Sequence, residues 1–106
     1  MASSLSLRGI LDANKLIGPN YVDWLRNLRI VLTQEKISYI LDTPTPDMIG
    51  KDAFEERTKY KMWKDDSVTV KCIMLVSMNN ELQRQHEGID VPSILLNLKE
   101  LYGEQS

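Results

Sequence analysis

The chain is poor in the residues that carry chemistry. Its 106 residues include one cysteine, Cys72, and one histidine, His86. A single cysteine excludes an internal disulfide and suits a reducing compartment such as the cytosol. In an apolar stretch it reads as a small core residue. One histidine and one cysteine are too few ligands for a typical zinc site. Ser-His-Asp or Cys-His catalysis would have to run through His86, which stands in a polar, charged run and reads as surface. The five glycines, Gly9, Gly18, Gly50, Gly88 and Gly103, are scattered singly, so no phosphate-cradling loop is present. No apolar run approaches membrane-spanning length. The N-terminus lacks a charged stretch followed by an apolar one, and Ala2 excludes N-myristoylation. Asp65 and Asp66 are the one adjacent acidic pair. Neighbours on a helix point about 100° apart, so they do not converge on a metal, and salt bridges to Arg57, Lys61 or Lys64 are their expected use. The expectation is a protein without catalytic, cofactor or metal sites.

Basic excess is also lacking. The net charge is -2, from 13 Lys plus Arg against 15 Asp plus Glu. A domain that wraps nucleic acid by itself usually shows the opposite balance. The charge is uneven along the chain. Arg8 to Lys36 holds five positive and three negative residues, whereas Glu81 to Glu104 holds two and five. Solvated helix faces account for this pattern; head-to-tail attraction between copies is the sharper alternative. Hydrophobic residues at 42% and charged residues at 26% fit one soluble globular domain.

What is present is helical periodicity. Residues 1–14 read as a flexible arm in which serines alternate with Leu5 and Leu7. Residues 15–106 read as the folded domain. After Gly18-Pro19, Asn20 is placed to cap a helix. Tyr21, Trp24, Leu25, Leu28, Val31 and Leu32 then form one apolar stripe that ends near Lys36. Thr43-Pro44-Thr45-Pro46-Asp47 is a loop, because two prolines exclude helix there. A long helix is expected from Asp52 to Met78, with Asp52 and Glu55 in a capping-box arrangement. Phe54, Trp63, Val70, Ile73 and Met74 share one of its faces. The β-branched stretch from Ser67 to Val76 also fits a strand, but no partner strand is evident. Asn79 or Asn80 caps a short helix that Gly88 stops. Asp90 caps the last one, with Pro92 in its first turn. Val91, Ile94, Leu95, Leu98, Leu101 and Tyr102 form its stripe, and Gly103 ends it. The fold class is therefore all-α, a compact bundle of four to five helices.

Two clusters invite a functional reading. Arg57, Lys59, Lys61 and Lys64 interleave with Tyr60 and Trp63, a mixture that suits single-stranded RNA. Glu55, Glu56, Asp65 and Asp66 flank it, and Trp63 falls where a core residue is expected. The second cluster is an ordered set of motifs. Lys15-Leu16-Ile17-Gly18-Pro19-Asn20-Tyr21 is followed by Trp24. Trp63-Lys64-Asp65-Asp66 comes next, and Leu98-Lys99-Glu100-Leu101-Tyr102 closes the chain.

This set resembles the N-terminal region of copia-type LTR-retrotransposon Gag polyproteins. That family's pattern reads roughly Lys-Leu-x-Gly-x-Asn-Tyr-x-x-Trp, then a Trp-x-x-Asp helix, then a helix ending Leu-x-x-Leu-Tyr. Gly18, Asn20, Tyr21 and Trp24 match the first part, Trp63 and Asp66 the second, and Leu98, Leu101 and Tyr102 the third. The chain departs from the pattern at Leu95, where members often have Trp, and at Ile17, where a polar residue is common. The resemblance implies a retroviral-capsid-like lobe in the cytoplasm whose copies assemble into virus-like particles around the element's RNA. The RNA contact itself is implied to rest on other parts of the polyprotein, since this chain has no zinc knuckle. Arg26 and Arg29 are candidate self-association residues. A retained Gag lobe that binds a short peptide of another protein is the alternative, with a weak RNA-binding domain behind it.

Overall fold

The computed structural model describes residues 7–42 and 54–103, and the side chains of all of these except 54–56. The fold is all-α. Six helices lie among the described residues: α1 (Arg8–Ala13), α2 (Tyr21–Gln34), α3 (Tyr39–Asp42), α4 (Phe54–Val76), α5 (Asn80–His86) and α6 (Val91–Tyr102). The expected four to five become six for two reasons. Part of the supposed arm is the helix α1, and Tyr39–Asp42, beyond the expected end of α2 near Lys36, winds into the single turn α3. Residues 1–6, the proline loop and the Asp52 cap lie outside the described residues.

α1 is held because Leu11 is buried and because the Arg8 guanidinium forks onto the Glu35 carboxylate at 2.6 and 2.7 Å. α2 buries Tyr21, Trp24, Leu28, Val31 and Leu32 of the expected stripe, with Leu25 half-buried beside them. It ends two residues before Lys36. Lys36 takes the left-handed conformation at φ 65°. Ile37 N–H then bonds Leu32 O at 2.9 Å, and Lys36 N–H bonds Thr33 O at 3.0 Å. These are the two bonds of a Schellman stop with lysine where glycine is usual, and buried Ile37 and Leu32 supply its apolar contact.

The β-branched stretch before Val76 is helix, so side-chain packing overrides its strand preference. Val70, Ile73 and Met74 bury against the bundle. α5 starts where Asn79 Oδ1 accepts Leu82 N–H at 2.9 Å. α6 starts where Asp90 Oδ1 accepts Ser93 N–H at 3.0 Å. α1 packs on α2, α3 touches α4 and α6, and α4 touches α5 and α6.

Four expectations are corrected. His86 is 1% exposed rather than superficial, and its Nδ1 lies 2.8 Å from Leu82 O in the preceding turn. A polar-looking run hid it because α5 packs one face on the core. Cys72 is exposed, not core, because it falls on the side of α4 opposite Val70 and Met74. Leu101 is 55% exposed although Leu98 is fully buried, because the stripe of α6 drifts off the core in its last turn. Asp65 and Asp66 make no ion pair with Arg57, Lys61 or Lys64.

Candidate functional site

No cluster of His, Cys, Asp and Glu suited to a metal ion occurs among the described residues. No helix there is long and apolar enough to cross a membrane. The candidate functional features are a junction of motif residues and the surfaces around it.

The junction is built from the segment between α1 and α2. Leu16 is fully buried and bridges the end of α4: its N–H bonds Ser77 O at 2.8 Å, and its carbonyl accepts Asn79 N–H at 3.0 Å. Asn20 does not cap α2 through its side chain. It braces the turn instead. Asn20 Oδ1 accepts Ile17 N–H at 2.9 Å, and its Nδ2 donates to Lys15 O at 2.9 Å. This satisfies backbone groups that the irregular turn would leave unpaired. Gly18 sits at φ +123°, and a Cβ there would meet Tyr102 Cε1 at 3.1 Å. Glycine is needed on both counts. The rings of Tyr21 and Tyr102 then meet at 6.4 Å between centroids. Burial pushes the Tyr21 hydroxyl pKa up, and Arg29 partly offsets that. Trp24 is fully buried, with its Nε1 donating to Ser77 Oγ at 3.0 Å, and Ser77 Oγ donates to Met74 O at 2.9 Å.

Gly18, Tyr21 and Tyr102 therefore meet in one place, Asn20 braces the turn that holds Gly18, and Trp24 and Leu98 are buried in the core against which Tyr102 packs. Trp63 and Asp66 do not join them. Trp63 is half-buried and stacks on Tyr60 at 6.2 Å and 26°. Asp66 bonds neither Lys15 nor a backbone amide; it accepts the Tyr39 hydroxyl and ties α3 to α4. Desolvation, and then that carboxylate, push the Tyr39 pKa up to about 12. Ser77 and Tyr39, the partners that give Trp24 and Asp66 their roles, carry no signal in the sequence.

The surface residues separate as well. Arg26 and Arg29 are exposed but already paired, with Asp23 across one turn and with Asp42 at 3.1 Å. Arg57, Lys61 and Lys64 share the outward side of α4, while Lys59, two residues from Lys61, turns roughly 200° away. Trp63 packs inward, so the basic cluster offers no freely exposed indole to stack a base. A groove of about 660 Å³ runs between α2 and α6, lined by Val22, Leu25, Leu41, Pro92, Leu95 and Leu96, with Arg29 and Lys99 among its polar neighbours. No family model matches the chain, and no curated protein or solved structure is found to be similar to it.

Proposed function

We propose that the chain is a structural self-assembly module of a copia-type retrotransposon Gag, a capsid-lobe-like domain whose copies build virus-like particle shells around the element's RNA. One observation carries the reading. Gly18, Tyr21 and Tyr102, which the motif pattern takes from opposite ends of the chain, interlock at one junction. A pattern spread over the chain gains weight when its parts have a shared physical reason. The all-α fold is compatible with such a lobe, and the chain offers several exposed apolar side chains to neighbours, among them Ile17, Ile30, Val76 and Leu96. Weak contacts of this kind gain strength when many copies close a symmetric shell. RNA contact is assigned to other parts of such a polyprotein.

A second reading is a peptide-binding adaptor. The groove between α2 and α6 favours it, since an amphipathic segment can lay its apolar side on Val22, Leu25 and Leu96. Light scattering of the purified chain over a wide concentration range, at low and high salt, separates the two. Mass that rises with concentration supports assembly, and discrete particles by electron microscopy strengthen it. A strict monomer under every condition overturns self-assembly of this chain and leaves the adaptor reading.

A further inference from the structure

We infer that the groove between α2 and α6 docks an acidic amphipathic helix of another protein, which lays apolar side chains on the groove floor and sets carboxylates against Arg29 and Lys99. The inference rests on the peptide-adaptor reading and supplies the chemistry of the peptide. It is compatible with a chain that also assembles.

α2 and α6 spend most of their apolar residues on the core, yet each keeps some at the groove between them. Val22 is 43% and Leu96 56% exposed, and Leu25, Leu41 and Leu95 are half-buried beside them. The groove holds about 660 Å³, and no acidic side chain lines it. Its two charged residues are both cations, one from each helix. Lys99 lies one turn before Tyr102, whose ring meets Gly18 and Tyr21 at the start of α2. Arg29 lies eight residues after Tyr21, about 12 Å along α2. The two cations therefore flank the apolar floor instead of sharing one spot.

The same sign continues past Arg29. A neighbouring hollow of about 750 Å³ shares Arg29, and its other charged residues are Arg26 and Lys36. Lys36 and Lys99 make no ion pair. Arg26 and Arg29 pair with Asp23 and Asp42, whose side chains are 69% and 64% exposed. Pairs so exposed are weak. A guanidinium also has N–H donors to spare, so a second carboxylate can join Arg29 without displacing Asp42.

Charge and shape together select the occupant. An apolar floor with cations at its rim matches a helix that shows leucines flanked by carboxylates on one face. In the pattern Glu-x-x-Leu-Leu-x-x-Glu all four side chains share a face, and the two glutamates stand about 10 Å apart. The leucines then meet Val22, Leu25, Leu95 and Leu96, while the glutamates reach for Arg29 and Lys99. Nucleic acid fits less well, because its phosphates would match the cations and leave the apolar floor uncovered.

A displayed library of alanine-based helices, with the Leu-Leu pair fixed and the two flanking positions randomised, tests this against the full chain. Aspartate and glutamate are expected to be enriched at both flanks, and enrichment of neutral or basic residues overturns the proposal. A fluorescein-labelled Glu-x-x-Leu-Leu-x-x-Glu peptide is then compared with its Gln and Lys versions by fluorescence anisotropy. The Gln version is expected to bind about three- to tenfold more weakly, the worth of two partly exposed ion pairs. High salt should close that gap. Lys99→Glu should lower affinity for the Glu version and raise it for the Lys version. Leu96→Glu should lower it for all three. Both residues are exposed, so circular dichroism is expected to show unchanged helicity.

Glu and Gln versions that bind equally, both weakened by Leu96→Glu, overturn the acidic preference and leave the adaptor reading standing. Binding that neither substitution changes lies elsewhere on the chain and overturns the site. Loss of self-association in Leu96→Glu, seen by light scattering, gives the groove to a second copy and also overturns it. A library with no enriched sequence overturns both the proposal and the adaptor reading.

Discussion

Trp24 and Trp63 are both helical, and the periodicity of the sequence assigns both to the core, yet their surroundings differ. Trp24 is fully buried, and its Nε1 enters a chain of hydrogen bonds through Ser77 Oγ to Met74 O. It shares one core with Leu16, Leu28, Ile94 and Leu98, all at zero exposure. Trp63 is half-buried against the same core from the other end of α4, and its buried Nε1 meets no hydrogen-bond partner among the described residues. A buried donor without a partner costs stability that a paired one does not. The comparison divides the molecule. The α2, α6 and Leu16 side specifies the fold through a satisfied polar network. The first half of α4 and α3 is fastened more loosely, through Tyr39 and Asp66.

The largest effect is expected at Trp24. Trp24→Ala should destabilise by about 3–5 kcal/mol, from lost burial and the cavity left behind. Denaturant unfolding monitored by circular dichroism reads this directly. Trp63→Ala should cost clearly less, and equal costs would erase the distinction between the two regions. Gly18→Ala comes next. It places a Cβ 3.1 Å from the Tyr102 ring at a backbone angle that L residues rarely adopt. A cost of about 1–3 kcal/mol is expected. Truncating Tyr102 as well should relieve the steric part and leave the backbone part, so the double variant separates them.

These two sides also differ in how far they could be read from sequence. The apolar stripe of α2 and the caps Asn79 and Asp90 were legible because helical spacing and capping are local signals. The N-terminal limb was misread in part. α1 has six residues, too short for periodicity to show, and it is held by Leu11 and by Arg8 on Glu35, far away in sequence. The spacing predicts that Asn20 caps α2, but its side chain braces the turn before the helix instead. His86 and Cys72 exchanged their expected places. Composition around a residue does not say which face of a helix packs, and the two lie on opposite kinds of face. The junction of Gly18, Tyr21 and Tyr102 was visible as a pattern of residue types, but not as a contact.

The looser side can be probed through Tyr39. Its folded pKa of about 12 stands above the ordinary value of 10.0. A raised folded pKa means the contribution is complete below pH 10 and is lost as pH climbs toward 12. The protonated hydroxyl is the form that donates to Asp66. Tyr39→Phe should therefore cost about 1 kcal/mol at neutral pH, the usual worth of one hydrogen bond. The variant's stability should also fall less steeply than the parent's across the alkaline range. Parallel curves would mean that Tyr39 does not fasten α3 to α4.

The sharpest test of the difference between the two regions is replacement of each tryptophan by phenylalanine. Both changes remove the same ring area and the same N–H, so the apolar loss is similar in kind. At Trp24 the change also breaks the bond to Ser77, whose Oγ is then left with its single bond to Met74 O. At Trp63 it removes a donor that meets no partner among the described residues, which offsets part of the lost burial. Trp63→Phe is therefore expected to stay within about 1 kcal/mol of the parent, and Trp24→Phe to cost about 1–2 kcal/mol more than that. Thermal unfolding of the two variants side by side gives the difference, with systematic errors largely shared. A Trp63→Phe cost equal to that of Trp24→Phe would mean that the Trp63 indole donates a hydrogen bond in solution, and that the first half of α4 is fastened as firmly as the second.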